Sequence, residues 1–386
     1  MKEKLLSLSL GGLLLALMLG LLALAGLPAA RATGDAWDRG DAGRAVGDAR
    51  CGDTADMRAV PDLSESGGRA YRGELQGLRT TSLSSGITTR VSLPDMGSEA
   101  NADSRFPAVS ADGRYVAFQS FASNMVGGDE NGVYDVFVRD RQAGRTVLVS
   151  ATPQGEEGNL DSEEPAISAD GRYVAFTSYA SDLVDRDENT TSDVFVRDMQ
   201  TGRTTRVSVN SYGQEAADAS GQAAISADGR YVAFLSWASN LVSGDTNRNS
   251  DIFVHDRQTG QTARVSVASN GQEGNARSYH PAISADGRYV AFVSHADNLV
   301  VGDTNNQDDV FVHDRQTGQT TRVSVAWNGA QANSWSDNPS ISADGRYVAF
   351  DSRASNLVIS DTNGAYMDVF VYDRQTGEIA VVSVNS

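Results

Sequence analysis

Residues 168–176 read Ser-Ala-Asp-Gly-Arg-Tyr-Val-Ala-Phe, and the same nine residues begin again at Ser110, Ser226, Ser284 and Ser342. The five starts are evenly spaced along the chain. A second block, Asp-(Val/Ile)-Phe-Val-x-Asp, begins at Asp135, Asp193, Asp251, Asp309 and Asp368, the last displaced by one inserted residue. A third block, Thr-Thr-Arg-Val-Ser-Val at 204–209, typifies the end of each unit. Self-similarity at a fixed period of this size is the signature of a solenoid, propeller or array.

Each unit holds four strand-length segments, exemplified by 165–168 (a), 172–176 (b), 193–196 (c) and 205–209 (d). Strands b and c are apolar on both faces, as in strands sandwiched between neighbouring sheets. Strand d alternates and carries Arg206, which suits a half-solvated outer edge. Asp170-Gly171 predicts a two-residue hairpin between a and b, and Gln200-Thr201-Gly202 turns c into d. No segment of the repeat has helical periodicity. The expectation is all-β: a β-propeller of four-stranded antiparallel blades.

A degenerate copy precedes the clear ones. Pro61 to Gly67 mirrors Pro107 to Gly113, and Gly86 to Ser92 lies one full period before Gly144 to Ser150. Six blades are therefore expected, one irregular, with five as the alternative. The propeller domain is assigned to 61–386, its clear repeats starting near 97, and 33–60 reads as a flexible leader.

At the N-terminus, Lys2 and Lys4 precede an apolar run from Leu5 to Leu27, followed by Pro-Ala-Ala-Arg-Ala at 28–32. This is the pattern of a secretory signal peptide over 1–32, and a secreted, periplasmic or cell-envelope location follows from it. The run is also long enough to span a bilayer, so an uncleaved membrane anchor is the other reading. The whole chain has 386 residues and a formal charge of −18. Removing 1–32 takes away Lys2, Lys4 and Arg31 against Glu3, which leaves −20 and no lysine. Such a surface argues against nucleic acid and anionic membranes and favours cations or cationic partners. The single cysteine, Cys51, forms no internal disulfide, and no Cys/His set has zinc spacing.

The Ser-Ala-Asp-Gly-Arg-Tyr-Val-Ala-Phe and Asp-Val-Phe-Val-x-Asp blocks together resemble the TolB-type, WD-like β-propeller repeat of bacterial envelope proteins, over about residues 61–386. The resemblance implies a propeller fold and a role as a periplasmic interaction platform. Related blades accompany hydrolase domains in prolyl-oligopeptidase-like enzymes. This chain departs from TolB in its longer b–c loop and in having no recognisable small α/β domain ahead of the repeats.

Antiparallel topology puts the a–b and c–d turns on one side, face two, and the b–c and d–a loops on the other, face one. The long variable loops make face one the expected binding face. Three groups of candidate residues fall there. In the b–c loops, Asp129, Asn131 and Asp135 recur as Asp187, Asn189 and Asp193; as Asp245, Asn247 and Asp251; as Asp303, Asn305 and Asp309; and as Asp361, Asn363 and Asp368. Closely spaced oxygens on a turn suit a hard cation such as calcium; the alternative is Asx-turn chemistry within the blade. Immediately after strand b, one position holds Phe121, Tyr179, Trp237, His295 and Arg353, side chains able to stack on a sugar, a peptide or an aromatic ligand. At the start of strand a, near the channel mouth, stand Phe106, Glu164, Gln222, His280 and Asn338. His280 and His295 share a repeat and a face, whereas His255 and His313 replace Arg139, Arg197 and Tyr372 of the other repeats.

No nucleophile elbow, Walker loop or His-Glu-x-x-His motif is present, so no catalytic residue is assigned. The reading is an interaction platform that binds a protein or glycan. The alternative is a glycan-active hydrolase or lyase using channel carboxylates, for which the adjacent Glu163 and Glu164 form the local acidic pair.

Overall fold

The computed structural model describes residues 88–95, 99–359, 361–364 and 366–384. All of them belong to the compact unit Leu83–Ser386. The described residues form twenty strands and no helix. They assemble into five separate four-stranded antiparallel sheets, each in simple sequential order. The first blade comprises β1 (Ser104–Val109), β2 (Tyr115–Ser120), β3 (Asp135–Asp140) and β4 (Arg145–Leu148). The other blades occupy 162–206, 220–264, 278–322 and 336–381. This is the blade pattern of a β-propeller.

Of the expected sixth unit, the segments mirroring strands a to c lie outside the described residues. The end of its closing segment is described and forms no strand. The residue that follows it docks as its sequence equivalent does. Leu93 C=O accepts the Thr146 hydroxyl at 2.6 Å, as Ala151 C=O, one period later, accepts Thr204 at 3.1 Å.

Strands b and c supply the core because both of their faces meet a neighbour. Val174, Phe176 and Phe195 of the second blade pack on Ala117, Val136 and Val138 of the first. Ala175, Val194 and Val196, on the reverse side, pack on Val232, Phe234 and Phe253 of the third. Within each middle blade the two phenylalanines stack, with centroids 5.9 Å apart for Phe176–Phe195 and for Phe234–Phe253. Each such buried aromatic is worth about 1.5–3 kcal/mol of transfer free energy.

The nine-residue motif is the joint between blades. The a–b connection is longer than the expected two-residue hairpin, running from Ser168 to Arg172 between strands that end at Ile167 and begin at Tyr173. Ser168 causes this. Its hydroxyl donates to Asp170 Oδ1 at 2.6 Å and accepts the Tyr173 N–H at 2.9 Å, replacing a ladder bond. Gly171 then turns with φ +74, and a Cβ there would lie 2.2 Å from the ring of Tyr115 in the preceding blade. Tyr173, Tyr231 and Tyr289 occupy the same place against Gly229, Gly287 and Gly345. Arg172 grips Asp198 through Nε and Nη2, at 3.1 and 2.8 Å. That grip holds the Asp198 carboxyl down at about 2. Backbone bonds from Ala111 to Ala169, Ala169 to Ala227, Ala227 to Ala285 and Ala285 to Ala343 lace the turns together.

Strand d is outermost, as expected, but earlier than expected, at Arg203–Arg206 rather than 205–209. The chain leaves the ladder because the Ser208 hydroxyl accepts the Val194 N–H and donates to Asp193. The b–c and d–a loops do share one side. Asn131 donates to Gly158 C=O, and Asn159 Nδ2 donates to Ser181 in the next blade.

Candidate functional site

Each strand a enters from face one through a β-bulge, seen as a register shift between Glu163 and Ala166 and at the equivalent points of the other blades. The bulged residue is always the expected mouth position. Phe106, Glu164, Gln222, His280 and Asn338 all have φ between 50° and 53°. Five non-glycine residues held in the left-handed region are locally unfavourable, and bulges of this kind re-aim side chains. Neighbours hold the turn in place: the Glu164 and His280 N–H groups donate to the side chains of Gln119 and Gln222 in the preceding blades, both at 2.9 Å.

The ring after strand b is partly solvated, with Phe121 45%, Tyr179 41% and Trp237 40% exposed. Its members also touch neighbours. Phe121 lies against Tyr134 with centroids 5.3 Å apart, and Arg353 sits 5.4 Å above the Trp335 ring.

The two rings meet in the fourth and fifth blades, where polar groups converge. His280 Nδ1 lies 2.7 Å from Asp337 Oδ1, and its ring meets Tyr279 edge-on at 4.8 Å. His295 Nδ1 lies 3.2 Å from Asp308 Oδ1. Those two atoms are out of hydrogen-bond alignment, and both are buried without a hydrogen-bond partner, as is Asp351 Oδ1. Burial raises the Tyr279 phenol, and the adjacent Asp308 and Asp337 carboxylates add to the effect. Burial likewise raises Asp351, which Asn338 partly relieves by donating to Oδ2 at 3.0 Å. His280 and His295 are thus connected through Tyr279 and Asp308. Sequence reading missed Tyr279, Asp308, Asp337 and Asp351. Their signal was present: at 279 the repeats carry Arg105, Glu163, Gly221, Tyr279 and Asp337, and at 308 they carry Tyr134, Ser192, Ser250, Asp308 and Met367. Buried polar atoms lacking partners are what a bound polar group would satisfy.

Glu163 and Glu164 lie in strand a of the second blade, half-buried. The remaining histidines are structural. His255 and His313 are buried, each with Nδ1 2.9 Å from a threonine hydroxyl, and burial lowers both to about 4.

The b–c loops have a different logic. Asn131, Asn189, Asn247, Asn305 and Asn363 each donate Nδ2 to the last aspartate of their loop, Asp135, Asp193, Asp251, Asp309 and Asp368. In the first four copies the asparagine Oδ1 accepts the backbone N–H of the next residue but one. The last aspartate also receives a serine hydroxyl across the blade, from Ser150 or its equivalents. The asparagines thus make the Asx-turn arrangement. The oxygen clusters instead gather the two aspartates with a glutamate of the d–a loop: Asp187, Asp193 and Glu215, or Asp245, Asp251 and Glu273. That glutamate closes the Gly-Gln-Glu runs at 213–215 and 271–273, whose recurrence in the sequence reads as structural. The last residue of strand d, an arginine in the second, third and fourth blades, enters the cluster as well. Arg264 Nη1 lies 3.6 Å from Asp245, 3.4 Å from Asp251 and 2.5 Å from Glu273. Arg206 does the same with Asp187, Asp193 and Glu215, and Arg322 with Asp303, Asp309 and Gln331. In the fifth blade Asp361 Oδ1 is buried without a partner.

No protein-family model matches the chain, and no curated protein matches it. Among solved structures it is similar to a putative TolB from Agrobacterium tumefaciens, at 17% identity and a TM-score of 0.45, covering 72% of this chain and 80% of that one. TolB from Acinetobacter baumannii is similar at 20% identity and a TM-score of 0.39, over 66% of this chain and 49% of that one. An oligogalacturonate lyase solved in complex with manganese aligns at 13% identity and a TM-score of 0.45, over 71% and 63%. The blade assignment rests on the strand order and pairing above.

Proposed function

We propose that this chain is a secreted or envelope-associated interaction propeller that binds a protein or glycan through the mouth of face one. One observation carries the reading: two positions flanked by nearly constant sequence change in every blade, and in the fourth blade their occupants, His280 and His295, are linked through Tyr279 and Asp308. Aromatic side chains at 121, 179 and 237 suit stacking on a sugar ring or peptide, and the His280–Asp337 and His295–Asp308 pairs offer polar contacts beside them. The location rests on the signal pattern of 1–32, which lies outside the described residues.

The test is a glycan array together with an envelope-protein pull-down, run on the wild type, on Trp237→Ala with His280→Ala, and on Gln200→Ala on face two. Binding that falls at least tenfold in the first variant and persists in the second supports the proposal. Binding that survives the face-one changes, or that is lost with Gln200→Ala, defeats it.

A further inference from the structure

Three of the acidic clusters described above already contain a cation, the guanidinium of Arg206, Arg264 or Arg322. The first blade is built the same way, with Asp129, Asp135 and Glu157 offering ligand oxygens that all lie within 4.8 Å of one another. At the arginine's place, the last residue of β4, it has Leu148. The cluster therefore carries three carboxylates and no internal counter-charge. The second and third blades set one guanidinium against three carboxylates, and the fourth sets one against two, because Gln331 replaces the glutamate.

Asp135 and Glu157 still have donors: Ser150 and Asn131 for the first, the Glu130 N–H for the second. Asp129 is different. It is only 8% exposed. Among the described residues, the side chain in hydrogen-bonding range of its carboxylate is Glu157, another carboxylate. A residue only 8% exposed whose carboxylate faces another carboxylate is costly to keep charged unless a cation joins it. Leu148, Asp129, Glu157, Gly127 and Gly128 all line a groove of about 840 Å³ beside the cluster, so a small ion has both access and room.

We infer that the first blade holds a divalent cation, with calcium the best fit, at the point where its sister blades place an arginine nitrogen, bound by Asp129, Asp135 and Glu157. The donor set is all oxygen, which selects a hard ion, and the open groove leaves coordination positions for water, as calcium's six to eight ligands require. Leu148 is the residue that makes the site available, and arginine is the residue that closes it in the second, third and fourth blades. This inference is independent of the ligand at the mouth of face one.

The experiment is calcium titration of the purified full chain by calorimetry and thermal melting, against sodium chloride of equal ionic strength. The expected result is a single calcium site and a melting temperature raised by about 5 °C at a hundredfold excess over Kd. Leu148→Arg should abolish calcium binding and, in chelator, melt above the wild type, which guards against a trivial loss of folding. Glu157→Gln should weaken binding at least tenfold. Arg264→Leu should add a second calcium site in the third blade. A wild type indifferent to calcium, or a Leu148→Arg protein that binds it as well as the wild type, overturns the inference.

Discussion

On face two, Gly171, Gly229, Gly287 and Gly345 each receive a tyrosine ring from the preceding blade at a distance that leaves no room for a Cβ. On face one, the position following strand b carries phenylalanine, tyrosine, tryptophan, histidine and arginine in turn. The two sides differ in what constrains them. A face-two residue touches the same residue of the next unit, so every unit must keep it, and the contact repeats as mortar. On face one the neighbours change from unit to unit, as when Phe121 meets Tyr134 and Arg353 meets the Trp335 ring, so the position need not repeat. Sameness along the repeat therefore marks assembly, and difference marks a candidate for recognition.

The sharpest way to break that comparison is Gly287→Ala. The added methyl would meet Tyr231 Cδ2 at 2.1 Å on a backbone with φ +72. We expect a loss of about 3 kcal/mol or more in denaturant unfolding; a change within about 0.5 kcal/mol, a surface-like value, would remove the mortar role from face two. Arg315→Ala acts on the same joint more gently. Arg315 donates to Gly287 C=O at 2.5 Å and covers the Tyr231 ring at 4.4 Å, so about 2 kcal/mol should be lost.

A third test uses pH. Burial holds His255 near 4 in the fold, against about 6.5 unfolded. The unfolded chain thus binds more protons between those values. The histidine's stabilising contribution is complete above about 6.5 and lost as pH falls toward 4. Moving from pH 7.5 to 5.5 should withdraw about 1.3 kcal/mol through this residue. His255→Arg, the residue that Arg197 represents in the second blade, should recover that difference. Asp193, raised to about 6 mainly by burial, works the other way, being stabilising at low pH and losing its contribution as pH rises through 6. The variant minus wild-type difference isolates the histidine, and an unchanged acid limb would show that His255 is charged in the fold. The smallest expected effect is on face one: Trp237→Ala, at a site 40% exposed, should cost less than about 1 kcal/mol of stability. A larger loss in the melt would make this ring a packing element rather than a recognition surface.

The sequence by itself determined the all-β class, the blade period and the division into two faces, because these depend on local patterning: apolar runs of strand length, Asp-Gly turns and evenly spaced motifs. The Asn131-type turns were legible as one of two readings for the same reason, since their partners are near in sequence. Strand ends were less so. Ser168 and Ser208 divert the backbone through side-chain bonds that no propensity encodes, which lengthened one turn and moved strand d earlier. What only the tertiary structure decided lies between segments. Glu157 joins Asp129 from beyond β3 and β4, and Tyr279 joins His280 to Asp308 across two loops. Whether an acidic loop meets an arginine or a leucine depends on which side chain strand d delivers into it, and that juxtaposition exists only after the strands have paired and the loops have been brought onto one face.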